Sequence, residues 1–373
     1  MKPYSMHPLK LLFVSTPVGP LGSGVGGGVE LTLRNIAQEM VQRGHSLRVL
    51  APVKSKLSDI SLIHIPGEIQ EPAQIQDRTA PVCLPGNSVL ANMWNHAYHN
   101  QAHYDLIVNF AYDWLPFYIT PFFSKPIAHF ISMGSLTNAM DQIADLIADS
   151  FPGTIGRYTQ AQAKTFAFAE KSCCLGSAVD LSLYEFCAEP DSYLVFLGRI
   201  APEKGLEDAV AIAQTTNTPL KILGKMENKE YWQQICRDYP HAPIEYLGFF
   251  PTDQMQKVLR KGKALLMTHR WVEAFGNVAI ESLACGVPVI AYQRGGPSEI
   301  VRHGQTGWLV EPDNVTEMCN AVSSIHQIDR FKCRQQAESE YSLTALGDRF
   351  EQWFKDILGS RNQESTKSSI GSS

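Results

Sequence analysis

Two glutamates eight residues apart bracket the run Glu273-Ala274-Phe275-Gly276-Asn277-Val278-Ala279-Ile280-Glu281, and Gly286-Val287-Pro288-Val289-Ile290 closes it. Eight residues is a little over two helical turns. If Glu273 precedes a helix, Glu281 therefore lies on its face, one layer further down. The Gly276-Asn277 turn would open that helix and present backbone N–H groups able to hold an anion. One carboxylate can then take the hydroxyls of a sugar and the other those of a ribose, with a diphosphate between them on the amides. An amphipathic helix with solvated glutamates would show the same spacing. The Phe275-Gly276 pair and the Gly-x-Pro-Val run in register with it favour the chemical reading.

A second cluster, Gly198-Arg199-Ile200-Ala201-Pro202-Glu203-Lys204-Gly205, follows an apolar run and precedes a helical pattern. Arg199 and Lys204 share this loop. A departing nucleoside diphosphate gains negative charge in the transition state, and fixed cations aimed at it lower the barrier. No Asp-x-Asp pair occurs in the chain, so nothing resembles that metal-binding motif. The leaving charge falls instead to these cations and to the amides at Gly276 and Asn277.

Six glycines between Gly19 and Gly28 include a literal G-x-G-x-x-G at Gly22, Gly24 and Gly27, which suggests dinucleotide binding. Two features oppose that. The second strand ends Leu50-Ala51-Pro52-Val53-Lys54 with no acid for a ribose, and twelve residues, 17–28, separate strand from helix. A nearly side-chain-free loop that approaches a phosphate or sugar closely is the alternative.

The elements that must carry these loops alternate in type, which predicts parallel sheets covered on both faces. Buried strands are expected at residues 9–15, 45–51, 105–110, 126–132 and 172–175, and again at 193–197, 220–223, 244–247, 264–267, 287–292 and 307–310. Helices are expected at 29–43, 141–150, 160–168, 206–214, 229–239, 252–260, 278–284 and 343–358. The aperiodic stretch 176–192 reads as a linker, and the Ser- and Gly-rich end, 359–373, as disordered. A chain of 373 residues suits two domains. A net charge of −5 implies no general attraction to nucleic acid or anionic membrane. The eight scattered cysteines lack Cys-x-x-Cys spacing, so a zinc site is not expected. The apolar run at 9–14 is too short to span a membrane and has no cleavage site behind it. A soluble, cytoplasmic protein is expected.

The paired-glutamate run and the Gly-Arg…Glu-Lys-Gly cluster together resemble the retaining glycosyltransferases of family four, which use nucleotide-sugar donors. The resemblance covers residues 10 to about 358. It implies an α/β, GT-B fold: two Rossmann-like domains, 1–180 for the acceptor and 181–342 for the donor, facing an interdomain cleft, with the helix at 343–358 crossing back onto the first. It implies catalytic roles for Arg199, Lys204 and Glu273, with Glu273 a donor-sugar binder rather than a base. It implies donor contacts from Gly27, Gly28, Gly224, Phe275, Gly276, Asn277 and Glu281. No cofactor or metal is implied, and no enzyme nucleophile. Gly248-Phe249 falls where the family holds the base, and Gly295-Gly296 and Glu299 follow in its usual order. The family often carries a histidine near the reacting sugar. The matching place here is Ser132, while His129, inside a strand, reads as a core histidine.

Three stretches of the first half, residues 13–24, 109–116 and 131–136, resemble the pteridine glucosyltransferases. That implies transfer of glucose from UDP-glucose to the side-chain hydroxyl of tetrahydrobiopterin. A reduced pterin wants an aromatic or apolar face and a carboxylate for its N–H groups. Tyr112, Asp113 and Trp114 offer both, with Ser132 and Asp141 as further acceptor contacts; a buried aromatic cluster is the other reading of the same residues. A lipid, polysaccharide or other small-molecule acceptor, an epimerase, and a non-catalytic nucleotide-sugar binder are the competing functions.

Overall fold

The computed structural model describes residues 7–23 and 27–370; Gly24 of the glycine motif lies outside them. The chain divides into two compact units. The first holds residues 1–158, 163–176 and 346–373, and the second 159–162 and 177–345.

Seven parallel strands form the first unit's sheet: β1 (Lys10–Val14), β2 (Ser46–Pro52), β3 (Ser61–Ile65), β4 (Leu106–Asn109), β5 (Ile127–Ile131), β6 (Ile155–Arg157) and β7 (Cys173–Cys174). Their order is β3-β2-β1-β4-β5-β6-β7. Leu11 to Val14 are wholly buried, as a strand covered on both faces requires. The order reverses between β1 and β4, and the crevice outside the carboxyl ends of such strands is where open α/β sheets bind ligands. Two strands were not expected. β3 is a half-exposed edge without a continuous apolar run, and β6 has only three residues.

The second unit repeats the plan with β8 (Leu194–Leu197), β9 (Leu220–Leu223), β10 (Ile244–Gly248), β11 (Ala264–Met267), β12 (Val289–Tyr292) and β13 (Gly307–Val310). Their order is β10-β9-β8-β11-β12-β13, with the reversal between β8 and β11.

Helices outside the expected set include Val89–Asn100, the short Pro297–Ile300, Val315–Ser324 and Arg330–Glu340. The helix expected at 160–168 is only Gln160–Ala163. The expected linker is packed at its start, where Ala178, Val179 and Tyr184 are buried and Asp180 caps the short turn Leu181–Leu183, and is mostly exposed over 185–192. The expected disordered tail is also corrected, because the last helix runs Leu343–Ile370. Its buried Leu346, Phe350 and Phe354 fall every four residues, on one helical face, and Trp353 Nε1 donates to the Gly153 carbonyl at 2.7 Å. Among the described residues, no helix is long and apolar enough to cross a membrane.

Candidate active site

The expected donor residues of the second unit collect at the carboxyl ends of β8, β9 and β11, whereas Gly27 and Gly28, also expected on the donor, open a helix of the first unit. After β8, the chain makes a short turn at Pro202–Lys204, and Gly205 in the left-handed region (φ 64°) starts the helix Leu206–Thr216. That turn aims Lys204 at the segment following β11. Lys204 Nζ donates to Glu273 Oε2 at 2.6 Å, Trp271 Nε1 donates to the same oxygen at 3.0 Å, and the ammonium lies 4.8 Å from the Trp271 ring centre. Burial opposes ionisation of Glu273, but Lys204, His269 and the indole outweigh it, and its carboxyl is held below the usual carboxylate range. Glu273 is therefore an anion at neutral pH, fit to accept from hydroxyls.

The loop carrying Glu273 is clamped from behind. Gly296 N donates to the Glu273 carbonyl at 2.7 Å, and Thr159 Oγ1 to the Ala274 carbonyl at 2.8 Å. Phe275 is buried and meets Tyr341 edge-on, so its ring anchors the loop. Gly276 has φ 96°, and a Cβ there would lie 2.9 Å from Pro297 Cγ, which leaves glycine as the residue that opens the helix Asn277–Ala284. Asn277 begins that helix with a buried Oδ1 that has no hydrogen-bond partner.

Glu281 lies about one turn into that helix. Tyr184 Oη donates to its Oε1 at 3.0 Å. Desolvation pushes the Glu281 carboxyl up to about 7, with the tyrosine opposing the rise. Tyr184 was not anticipated; it is distant in sequence, and only the packing of 177–184 brings it there.

Arg199 is half-exposed and pairs with Glu203 at 2.7 Å and with Glu227. Gly224 is fixed by close approach of two strand ends: its Cβ would lie 1.7 Å from the Gly198 carbonyl oxygen. Glu299 accepts from the backbone of Gln160 and Ala161. Phe249 is 75% exposed.

In the first unit, Gly27 caps the helix Gly28–Gln42. Glu30 turns back to accept from Gly22 N at 3.0 Å, so that helix's acid closes the glycine loop. A pocket opens at the carboxyl ends of β1, β4 and β5, lined by Thr16, Tyr112, Asp113, Trp114 and Ser132 among others. Thr16 Oγ1 and Ser132 Oγ are buried with no hydrogen-bond partner, as expected of groups that serve a ligand. Asp113 caps the short helix Trp114–Tyr118 and accepts from Gln70 Nε2 at 2.9 Å. Burial pushes its carboxyl up, against hydrogen bonds from Leu115, Gln70 and Trp114. Tyr112 Oη accepts from Leu136 N at 3.1 Å, and Trp114 stacks on Tyr118 with ring centres 4.4 Å apart. Asp141 is not among the lining residues; it accepts from Arg78 and Ser135. His129 is a satisfied core group, bonded to Thr120 and Asn109 and stacked on Phe117; burial pushes it down to about 3.

Residues 186–340 match the family described as Glycosyl transferases group 1. An uncharacterized glycosyltransferase of Methanocaldococcus jannaschii is 28% identical over 142 residues, 37% of this chain and 36% of its own. The lipopolysaccharide 1,2-N-acetylglucosaminetransferase of Salmonella typhimurium is 30% identical over 189 residues, 45% of this chain and 49% of its own. The chain thus spans about half or less of the length of these curated relatives. The crystal structure of Anabaena HepE in complex with UDP and glucose is 17% identical with a TM-score of 0.74, covering 93% of this chain and 100% of that one. The fold is that of the GT-B glycosyltransferases, two Rossmann-like parallel-sheet units. The second unit carries the segment that the group 1 family describes.

Proposed function

We propose that the protein is a metal-independent, retaining glycosyltransferase that moves glucose from UDP-glucose to the side-chain hydroxyl of tetrahydrobiopterin. The observation that carries the transferase reading is the Lys204–Glu273–Trp271 cluster, with Glu281 one turn into the helix that follows, inside the segment matched by the group 1 family. Glu273, ionised and oriented by two donors, takes donor-sugar hydroxyls. Glu281 takes those of the ribose. Arg199, Lys204 and the helix start at Gly276 and Asn277 meet the charge that develops on the departing diphosphate. The bound UDP and glucose of the HepE structure support a uridine donor.

The acceptor reading rests on the first unit's pocket. Asp113 is a carboxylate raised by burial that accepts from Gln70 and Leu115, and N–H donors of a ligand would satisfy it further. Tyr112 and Trp114 supply apolar walls, and Ser132 and Thr16 supply unused hydroxyls. A second reading, transfer to a glycan or lipid-linked acceptor, draws on the resemblance to the lipopolysaccharide transferase and on exposed Ile69, Ile75 and Val82 close to the pocket.

The test is mass spectrometry of purified protein incubated with UDP-glucose and tetrahydrobiopterin in EDTA. A hexosyl-pterin is the expected product. Slow UDP release without it would remove the pterin and leave the transferase. Neither product would overturn the choice of donor.

A further inference from the structure

The pocket has one wall that belongs to no sheet. Residues 68–84 run between β3 and the helix Val89–Asn100 with only two short turns, Ala73–Ile75 and one closed by Ala80 N onto the Asp77 carbonyl at 2.9 Å. Gln70, Ala73, Gln76, Ala80 and Val82 from this segment line the pocket. A segment with so little internal structure is positioned by its anchors. At its start, Glu68 N donates to the Asn87 carbonyl at 2.7 Å and Val89 N to the Glu68 carbonyl at 3.0 Å. Gln70 N donates to the Pro17 carbonyl at 3.0 Å, and Gln70 Nε2 orients Asp113.

The far anchor is Arg78. Its Nε donates to Asn138 Oδ1 at 3.0 Å, Nη1 to Ser135 Oγ at 2.5 Å and Nη2 to Asp141 Oδ2 at 2.5 Å. Ser135 Oγ donates to the same Asp141 oxygen at 2.7 Å, and Asn138 N returns a bond to the Arg78 carbonyl at 2.9 Å. A planar guanidinium gripping three acceptors is geometry that lysine cannot reproduce. Arg78 and Asp141 are side-chain exposed by 52% and 25%, so the grip serves position rather than the core.

We propose that residues 68–84 form the specificity-determining wall of the acceptor pocket, with Arg78 and Asp141 as its latch and Gln70 orienting Asp113 toward the ligand. The ligand this arrangement fits is a small planar heterocycle with adjacent N–H donors along one edge. Those donors meet Asp113, while the latched wall limits thickness and excludes a chain-like acceptor. Asp141 is then a positioning residue that acts through the wall. The inference rests on the acceptor reading above, and its test separates the two.

The probe is biopterin, whose fluorescence reports binding to the full chain without donor. Arg78→Ala should weaken biopterin binding roughly tenfold, the scale of re-ordering a freed segment on binding. Asp141→Asn should do nearly the same. In the double variant the two losses should not multiply, because one latch is broken twice. Arg78→Lys should not restore affinity, and UDP affinity should stay at the wild-type value throughout. Hydrogen exchange should quicken in 68–84 of Arg78→Ala and nowhere in β1 or β4. Multiplying losses would put Asp141 on the ligand and overturn the latch. Faster exchange with unchanged biopterin affinity would overturn the wall's role in specificity, and unchanged exchange would overturn the anchor. If the wild type binds UDP but no biopterin, the pterin reading fails on its own. The latch then stands or falls on the exchange result.

Discussion

The two candidate binding regions are built differently. In the second unit, Arg199 and Lys204 come from one eight-residue loop and Glu273 to Glu281 from one nine-residue run. Each short run turns at a strand end and delivers its own side chains. The first unit's pocket instead gathers Thr16, Gln70, Asp113 and Ser132 from four separate segments. Within each such run the geometry is local and holds wherever its turn is kept. A site assembled across the sheet depends on every anchor, so its specificity can change through a residue such as Arg78 that does not line it.

The largest effect should come from breaking the backbone on which the donor side stands. Gly224→Ala places a methyl 1.7 Å from the Gly198 carbonyl at φ 150°. It should cost about 3 kcal/mol or more, read as a fall in the second unit's thermal midpoint by calorimetry. Next, Lys204→Ala removes the partner of Glu273 and one of the two loop cations proposed to meet the diphosphate charge. Turnover should drop by about a hundredfold, with biopterin affinity unchanged; an equal loss at both sites would erase the comparison. Asp113→Asn should do the reverse, raising the acceptor KM by roughly tenfold and leaving UDP affinity intact, as titration calorimetry can show.

The smallest effect is a pH dependence confined to the donor side. Glu281 is pushed up to about 7 by desolvation, and in the proposed role it accepts from ribose hydroxyls more strongly when ionised than when protonated. UDP affinity should therefore fall as pH drops through 7. Tyr184→Phe removes a donor that favours the ionised form, so it should weaken UDP a few-fold and move the midpoint to higher pH. A UDP affinity flat from pH 6 to 8 would detach Glu281 from the ribose.

Much of the fold was legible because buried parallel strands leave continuous apolar runs, and β1, β4, β9 and β11 fall where those runs lie. The half-exposed edge β3 and the three-residue β6 leave no such trace. The helix Arg330–Glu340 was illegible for a related reason: it buries polar Arg330 and Gln336 beside Cys333, against the expected apolar stripe. The polar tail of the last helix carries no apolar periodicity, and reading it as disordered overlooked that a helix begun on a packed face can propagate.

By itself, the sequence carried the motifs on which the proposed chemistry rests. The identity and spacing of Glu273, Gly276 and Glu281, and of Arg199 and Lys204, follow from turns a few residues long, whose geometry is local. Tertiary structure alone decided the partners: Lys204 on Glu273, Tyr184 on Glu281, Gln70 on Asp113 and Arg78 on Asp141. These pairs lie 69, 97, 43 and 63 residues apart. No local periodicity encodes such contacts; they exist because packing the parallel sheets brings the ends of distant strands together.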